Sequence, residues 1–150
     1  LLDHSGRVFS SGRGENGELG IGKVRNSQTF ELVLKGARQI SAGKDHSLAI
    51  CGSAVQGWGN SQDGQLGLRI AKNYFTPQEL NVYPCNLIFA GEKYSIFVTT
   101  KGIFTTGVNK DFQLGLGHEN NVQVPRRLEI EEEVVSVTGG KYCAAGTLRN

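Results

Sequence analysis

Gly12-Arg13-Gly14-Glu15-Asn16-Gly17 is a literal G-x-G-x-x-G, the spacing with which backbone amides cradle a dinucleotide pyrophosphate. That chemistry needs a strand before the run, a helix after it and an acid about 20 residues further on. Val8–Ser11 reads as a strand, but Glu18-Leu19-Gly20-Ile21-Gly22 is no helix. Gly17 to Lys23 imitates the phosphate-binding G-x-x-x-x-G-K, yet Val24 stands where a Ser or Thr must meet magnesium. Both runs read as turns. His4, His46 and His118 match no metal-ligand spacing, and Cys51, Cys85 and Cys143 contain no C-x-x-C pair. No G-x-S-x-G nucleophile elbow occurs. No metal and no cofactor are expected. What remains is Gly43-Lys44-Asp45-His46, where an acid and an imidazole adjoin a short apolar run. On its residues alone, Asp45 reads as a turn former and His46 as a hydrogen-bonding partner for a neighbouring strand.

The elements that hold this loop repeat along the chain. Residues 8–20, 55–67 and 103–115 align as VFSSGRGENGELG, VQGWGNSQDGQLG and IFTTGVNKDFQLG. The pairs Leu19-Gly20, Leu66-Gly67 and Leu114-Gly115 fall 47 and 48 residues apart, in step with Gly12, Gly59 and Gly107. A second block, 40–48, 88–96 and 137–145, keeps Gly43, Gly91 and Gly140 in the same register. A third landmark follows each Leu by 11 residues, at Phe30, Pro77 and Pro125. Such a period of about 48 marks a repeat architecture. Ser47–Ile50, Ser95–Val98, Val8–Ser11, Ile103–Thr106 and Val134–Thr138 read as short strands, rich in apolar and β-branched residues. Asn16-Gly17 and Asp63-Gly64 read as turns. No window keeps a helical apolar period, and the acidic stretch Leu128–Val135 reads as a solvated loop. Leu19, Leu66, Leu114, Ile40, Ile88 and Val137 are the expected core.

Composition sets the outer bounds. Gly accounts for 21 of 150 residues, double the average usage of about 7%, which suits a chain with many tight turns. The net charge of +2 argues against a charge-driven nucleic-acid or membrane-surface binder. No run approaches the length of a membrane-spanning helix, so membrane insertion is not expected. Three unpatterned cysteines suit small apolar residues in a reducing, intracellular compartment, cytoplasmic or nuclear. An all-β chain repeating at this length fits the blades of a β-propeller.

The repeats resemble those of the regulator of chromosome condensation family, an RCC1-type propeller. Val55–Leu68 and Ala42–Leu48 carry the closest match, and the likeness runs over the whole chain. It departs where the family's tryptophan becomes Ser11 and Thr106, where its histidine becomes Tyr94 and Cys143, and where a turn glycine becomes Phe112. The resemblance implies about three blades of about four antiparallel strands, part of a ring of about seven. Repeat units are set at 1–47, 48–95 and 96–144, with 145–150 entering the next. The chain is thus expected to be part of a larger ring, with its remaining blades as neighbours.

Three functions stay open. The favoured one is a non-catalytic scaffold presenting loops to protein partners, with Lys44, Asp45, Lys93, Tyr94 and Tyr142 on one face and Arg13, Asn60 and Val108 elsewhere. The second, implied by resemblance, is guanine-nucleotide exchange on a Ran-like small GTPase, with Asp45 and His46 as the exchange candidates in the family's G-x-D-H loop. The third is nucleosome binding, for which Arg126-Arg127 is the longest basic run at hand.

Overall fold

Runs of β-branched and aromatic residues cut by glycine turns leave the chain little choice but short antiparallel hairpins. The computed structural model describes residues 1–149. Those residues form twelve strands: β1 (Val8–Gly12), β2 (Ser27–Leu34), β3 (Ala37–Ala42), β4 (His46–Cys51), β5 (Ala54–Asn60), β6 (Asn73–Glu79), β7 (Cys85–Ala90), β8 (Tyr94–Thr99), β9 (Gly102–Gly107), β10 (Val122–Arg127), β11 (Val134–Gly139) and β12 (Ala144–Leu148). Two four-stranded sheets, β3-β4-β5-β6 and β7-β8-β9-β10, are flanked by the pairs β1-β2 and β11-β12. Among the described residues no helix is long and apolar enough to cross a membrane.

β7 packs on β3 and β4 of the sheet before it and on β11 of the pair after it, so the first strands of successive sheets meet side by side. One register runs through all three: Ile40 faces Ala49, Ile88 faces Phe97 and Val137 faces Gly146. These are propeller blades, but they are out of phase with the repeat units read from the sequence. The two complete blades span Ala37–Glu79 and Cys85–Arg127, and the unit starts at 48 and 96 fall inside β4 and β8. The twelve strands amount to three blades, divided as a pair, two full blades and a pair.

The outermost strands, β2, β6 and β10, have no counterpart in the sequence reading. Pro77 and Pro125 lie inside two of them. A proline cannot donate to the ladder, and an edge strand is where that omission costs least.

Apolar side chains pack mainly between blades. Leu48, Ile50, Val55, Leu66 and Leu80 of the first blade meet Cys85, Ile88, Ala90 and Phe97 of the second. Leu114, Ile96 and Ile103 carry the second blade onto Val134 of the last pair. Leu19, Leu66, Leu114 and Ile88 are buried as expected. Ile40 and Val137 are only half-buried, because each sits at a junction with a strand pair instead of a full blade.

Candidate protein-contact face

Each of β4, β8 and β12 is entered through a three- to four-residue loop, at 43–45, 91–93 and 140–143. Each of β1, β5 and β9 leaves into a longer loop at the same end of the sheet. Antiparallel pairing forces this, since β4 starts where β5 ends: His46 faces Gly59 and Tyr94 faces Gly107. Gly59 and Gly107 have φ of +99° and +112°, and a Cβ on either would press on the backbone of the facing loop. With glycine there, Asn60 N–H donates to Asp45 O at 2.7 Å and Val108 N–H to Lys93 O at 2.9 Å. The Arg13, Asn60 and Val108 loops, expected elsewhere, therefore share one face with the Asp45, Lys93 and Tyr142 loops.

Charged pairs run across this face from blade to blade. The Arg13 guanidinium meets Asp45 at 2.5 Å and Glu18 at 3.4 Å. Lys93 meets Asp63 at 3.1 Å. Lys44 reaches one oxygen of Glu92 at 3.2 Å, and Lys141 reaches the other at 3.7 Å. Lys44, Glu92 and Lys141 hold one place in the three repeats, so alternating signs at one register position tie three successive loops together. Asp45, followed by Glu18, holds the Arg13 guanidinium more firmly protonated than usual. Because these pairs are half-exposed and screened by water, each contributes geometry more than stability.

Behind the charges lies a buried polar layer. His46 Nε2 stands 3.0 Å from Ser95 Oγ of the next blade. That hydroxyl gives its one proton to Gln65 O, so His46 Nε2 must be the donor and Nδ1 the bare ring nitrogen. Among the described residues Nδ1 has no hydrogen-bond partner. Full burial pushes the imidazole down to about 4, which keeps it neutral. Tyr94 occupies the same repeat place and donates its phenol to Cys143 O of the last pair at 2.7 Å. Burial pushes that phenol up to about 12. Both residues stitch one blade to the next.

The expected site residues thus separate by depth. Lys44, Lys93 and Tyr142 expose their side chains on the face. Tyr94, expected in a contact loop, is fully buried, and so is His46. The large apolar ring of Tyr94 and the neutral imidazole of His46 fill the blade junction instead of facing water. Asp45 lies between: it is 8% exposed and engaged by Arg13. The G-x-G-x-x-G run is a turn, closed where Glu18 Oε2 accepts Asn16 N–H at 2.8 Å. Gln65 and Gln113 close the sister turns on Asp63 and Asp111 in the same way. Sequence reasoning missed Arg13–Asp45, Asp63–Lys93 and the Ser95 relay. The charge alternation at 44, 92 and 141 was its one available signal.

Comparison with known proteins accords with this geometry. The repeat described as "Regulator of chromosome condensation (RCC1) repeat" matches residues 5–50 and 102–146, more than half of the chain. The chain belongs to the RCC1 repeat family. Within that family it is 33% identical over 83 residues to the X-linked retinitis pigmentosa GTPase regulator of Canis lupus familiaris, covering 51% of this chain and 8% of that protein. It is 34% identical over 85 residues to the probable E3 ubiquitin-protein ligase HERC4 of Homo sapiens, covering 53% and 8%. The chain therefore spans under a tenth of the length of these curated RCC1-repeat relatives. Prp20p from Saccharomyces cerevisiae, whose structure was described with its binding to Gsp1p and histones, superposes with a TM-score of 0.84 at 20% identity, over 99% of this chain and 41% of Prp20p. That likeness establishes the RCC1-type propeller fold.

Proposed function

We propose that this segment of an RCC1-type propeller is a non-catalytic scaffold whose loop face binds protein partners. The observation that carries the reading is the charged rail across that face. Arg13–Asp45, Asp63–Lys93 and Lys44–Glu92–Lys141 fix loops from successive blades relative to one another, while the lysine tips and Tyr142 stay exposed. A surface held in place this way loses little conformational entropy on binding. Prp20p, described with its binding to Gsp1p and histones, sets a precedent for protein partners on this fold. A photo-crosslinking residue at Lys44 or Lys93, compared with Ser53 or Lys101 at the opposite end of the strands, tests the reading. The scaffold predicts protein adducts at 44 and 93 well above those at 53 and 101. Equal or reversed yields remove this face.

Guanine-nucleotide exchange on a Ran-like GTPase is the second reading, favoured by the Gly43-Lys44-Asp45-His46 match. Exchange through Asp45 would require its carboxylate to leave Arg13, and His46 is sealed beneath it. Release of labelled GDP decides: acceleration by the chain that Asp45→Ala abolishes would put exchange in place of scaffolding. Nucleosome binding has less support. Lys44, Lys93 and Lys141 each already face a carboxylate, which leaves little unpaired positive charge on this face.

A further inference from the structure

The Leu-Gly pairs of the first two repeats lead into loops that the third repeat does not match. Residues 21–26 read IGKVRN and residues 68–73 read LRIAKN, whereas residues 116–121 read LGHENN. Lys23 and Arg25 stand in the first loop and Arg69 and Lys72 in the second, while the third has no Lys or Arg and carries Glu119. Arg25 and Lys72 hold one repeat place, each directly before an asparagine. The Arg25 guanidinium meets Glu31 at 2.7 Å. Among the described residues Lys23, Arg69 and Lys72 make no ion pair. Val24 and Ile70, set between these cations, are 66% and 63% exposed. A single exposed aliphatic is ordinary, but two in adjoining loops, each flanked by cations, form a patch.

The two loops meet at the start of β6. Gly22 N–H donates to Phe75 O at 2.7 Å and Asn73 Nδ2 to Asn16 Oδ1 at 3.4 Å, which seats the first loop there. The second loop runs directly into the same stretch. Its Lys72 O accepts Ser61 N–H at 3.0 Å, and the Tyr74 phenol donates to Ile70 O at 3.1 Å. Backbone bonds therefore fix both loops while their long side chains stay in water. Arg69 to Lys72 are exposed although neighbours pack on either side, the preceding turn on Tyr74 and Phe75, and Pro125 of the following blade on Gly67.

The patch selects its partner by charge and by apolar contact. Three cations without carboxylates call for an anionic partner. A single-stranded nucleic acid would use aromatic faces as well as cations, but Tyr74 already carries the Lys72 ammonium 5.0 Å over its ring. Val24 and Ile70 would also gain nothing from a phosphate backbone. An acidic protein segment that bears aliphatic side chains uses both features.

We propose that this rim, Lys23 to Arg25 with Arg69 to Lys72, docks an acidic segment of a protein partner. Its aliphatic side chains cover Val24 and Ile70, and its carboxylates meet Lys23, Arg69 and Lys72. The contact lies beyond the loops at 44 and 93, and it rests on the scaffold reading only in taking the partner to be a protein. The test is fluorescence anisotropy on the full chain with three labelled probes. One is an acidic peptide with Leu set among Asp and Glu, one is its analogue with Ser for every Leu, and one is single-stranded DNA. Vesicles of phosphatidylserine and phosphatidylcholine serve as a fourth probe by co-sedimentation. The leucine peptide should bind, with its serine analogue at least about fivefold weaker. Arg69→Glu and Lys23→Glu, one in each loop, should each weaken it at least about fivefold, since they set like charges face to face. Ile70→Ser should weaken it about tenfold, through lost apolar burial. All three side chains are exposed, so the melting temperature should hold. Binding that survives Arg69→Glu and Lys23→Glu overturns the rim. Binding lost with Lys44→Glu and Lys93→Glu, but kept by the rim variants, overturns it and leaves the scaffold reading standing. Equal binding of the serine analogue, or tighter binding of DNA or vesicles than of the leucine peptide, overturns the acidic protein segment as occupant. No binding of the leucine peptide overturns the rim, and the scaffold reading then stands or falls on the adducts at 44 and 93.

Discussion

The junction between the two full blades and the junction after them use one plan with different side chains. In the first, Phe97 is wholly buried against Leu48, Ile50 and Leu66, His46 reaches across to Ser95, and Gly64 receives the start of β10. In the second, Gly146 replaces Phe97 and Phe112 replaces the seating glycine, while Ile96, Ile103 and Leu114 pack on Val134, Lys141 reaches Glu92 and Tyr94 donates to Cys143 O. The difference teaches that a repeat can keep its backbone register while the side chains that close its junctions change. Register is held by the ladder and the glycine turns, whereas closure depends on a handful of side chains.

The strongest way to break the closed junction is Phe97→Ala. Removing a fully buried phenyl ring should cost about 3–5 kcal/mol, read as a fall in the denaturant midpoint. A loss under about 1 kcal/mol would mean that the two junctions pack alike. Next comes acid. His46 is pushed down to about 4 when folded and titrates near 6.5 when unfolded, so between those values the unfolded chain binds more protons. Stability from this group is complete above about pH 6.5 and is lost as pH falls toward 4, by about 3 kcal/mol in all. In His46→Gln that part of the slope should disappear from a urea series run across the same pH range, and an unchanged slope would assign acid sensitivity to other groups.

How much of this could be read in advance depends on how local the cause is. The Leu-Gly pairs, Gly43, Gly91 and Gly140 carry the propeller because turns and short strands are local matters. The outer strands β2, β6 and β10 were illegible, since Pro77, Pro125 and many polar residues mark them as loops when only the sequence is seen. Tyr94 was misplaced for a related reason. It stands in a loop motif where exposure is the ordinary expectation, but the partner that buries it, Cys143 O, is 49 residues away. Arg13 and Asp45 are 32 apart, and nothing in either segment foretells the pairing.

Smaller effects sharpen the contrast. Phe112→Gly relieves a left-handed backbone and should stabilise the chain by about 1 kcal/mol in thermal unfolding, whereas Gly64→Ala at the closed junction should destabilise it. If both changes moved stability the same way, the two turns would be doing the same job. Arg13→Ala should shift the midpoint least, because the guanidinium is half-exposed and screened by water. A larger loss would make the face rail a source of stability and not of geometry.

Hydrogen exchange on the full chain tests the closed junction most directly, because Phe97 of β8 packs across it on Leu48 and Ile50 of β4. Phe97→Ala is expected to speed exchange of the amides of Leu48–Ile50 as well as those of Ser95–Val98. Unchanged protection of Leu48–Ile50 would contradict the claim that the junction is held by its side chains.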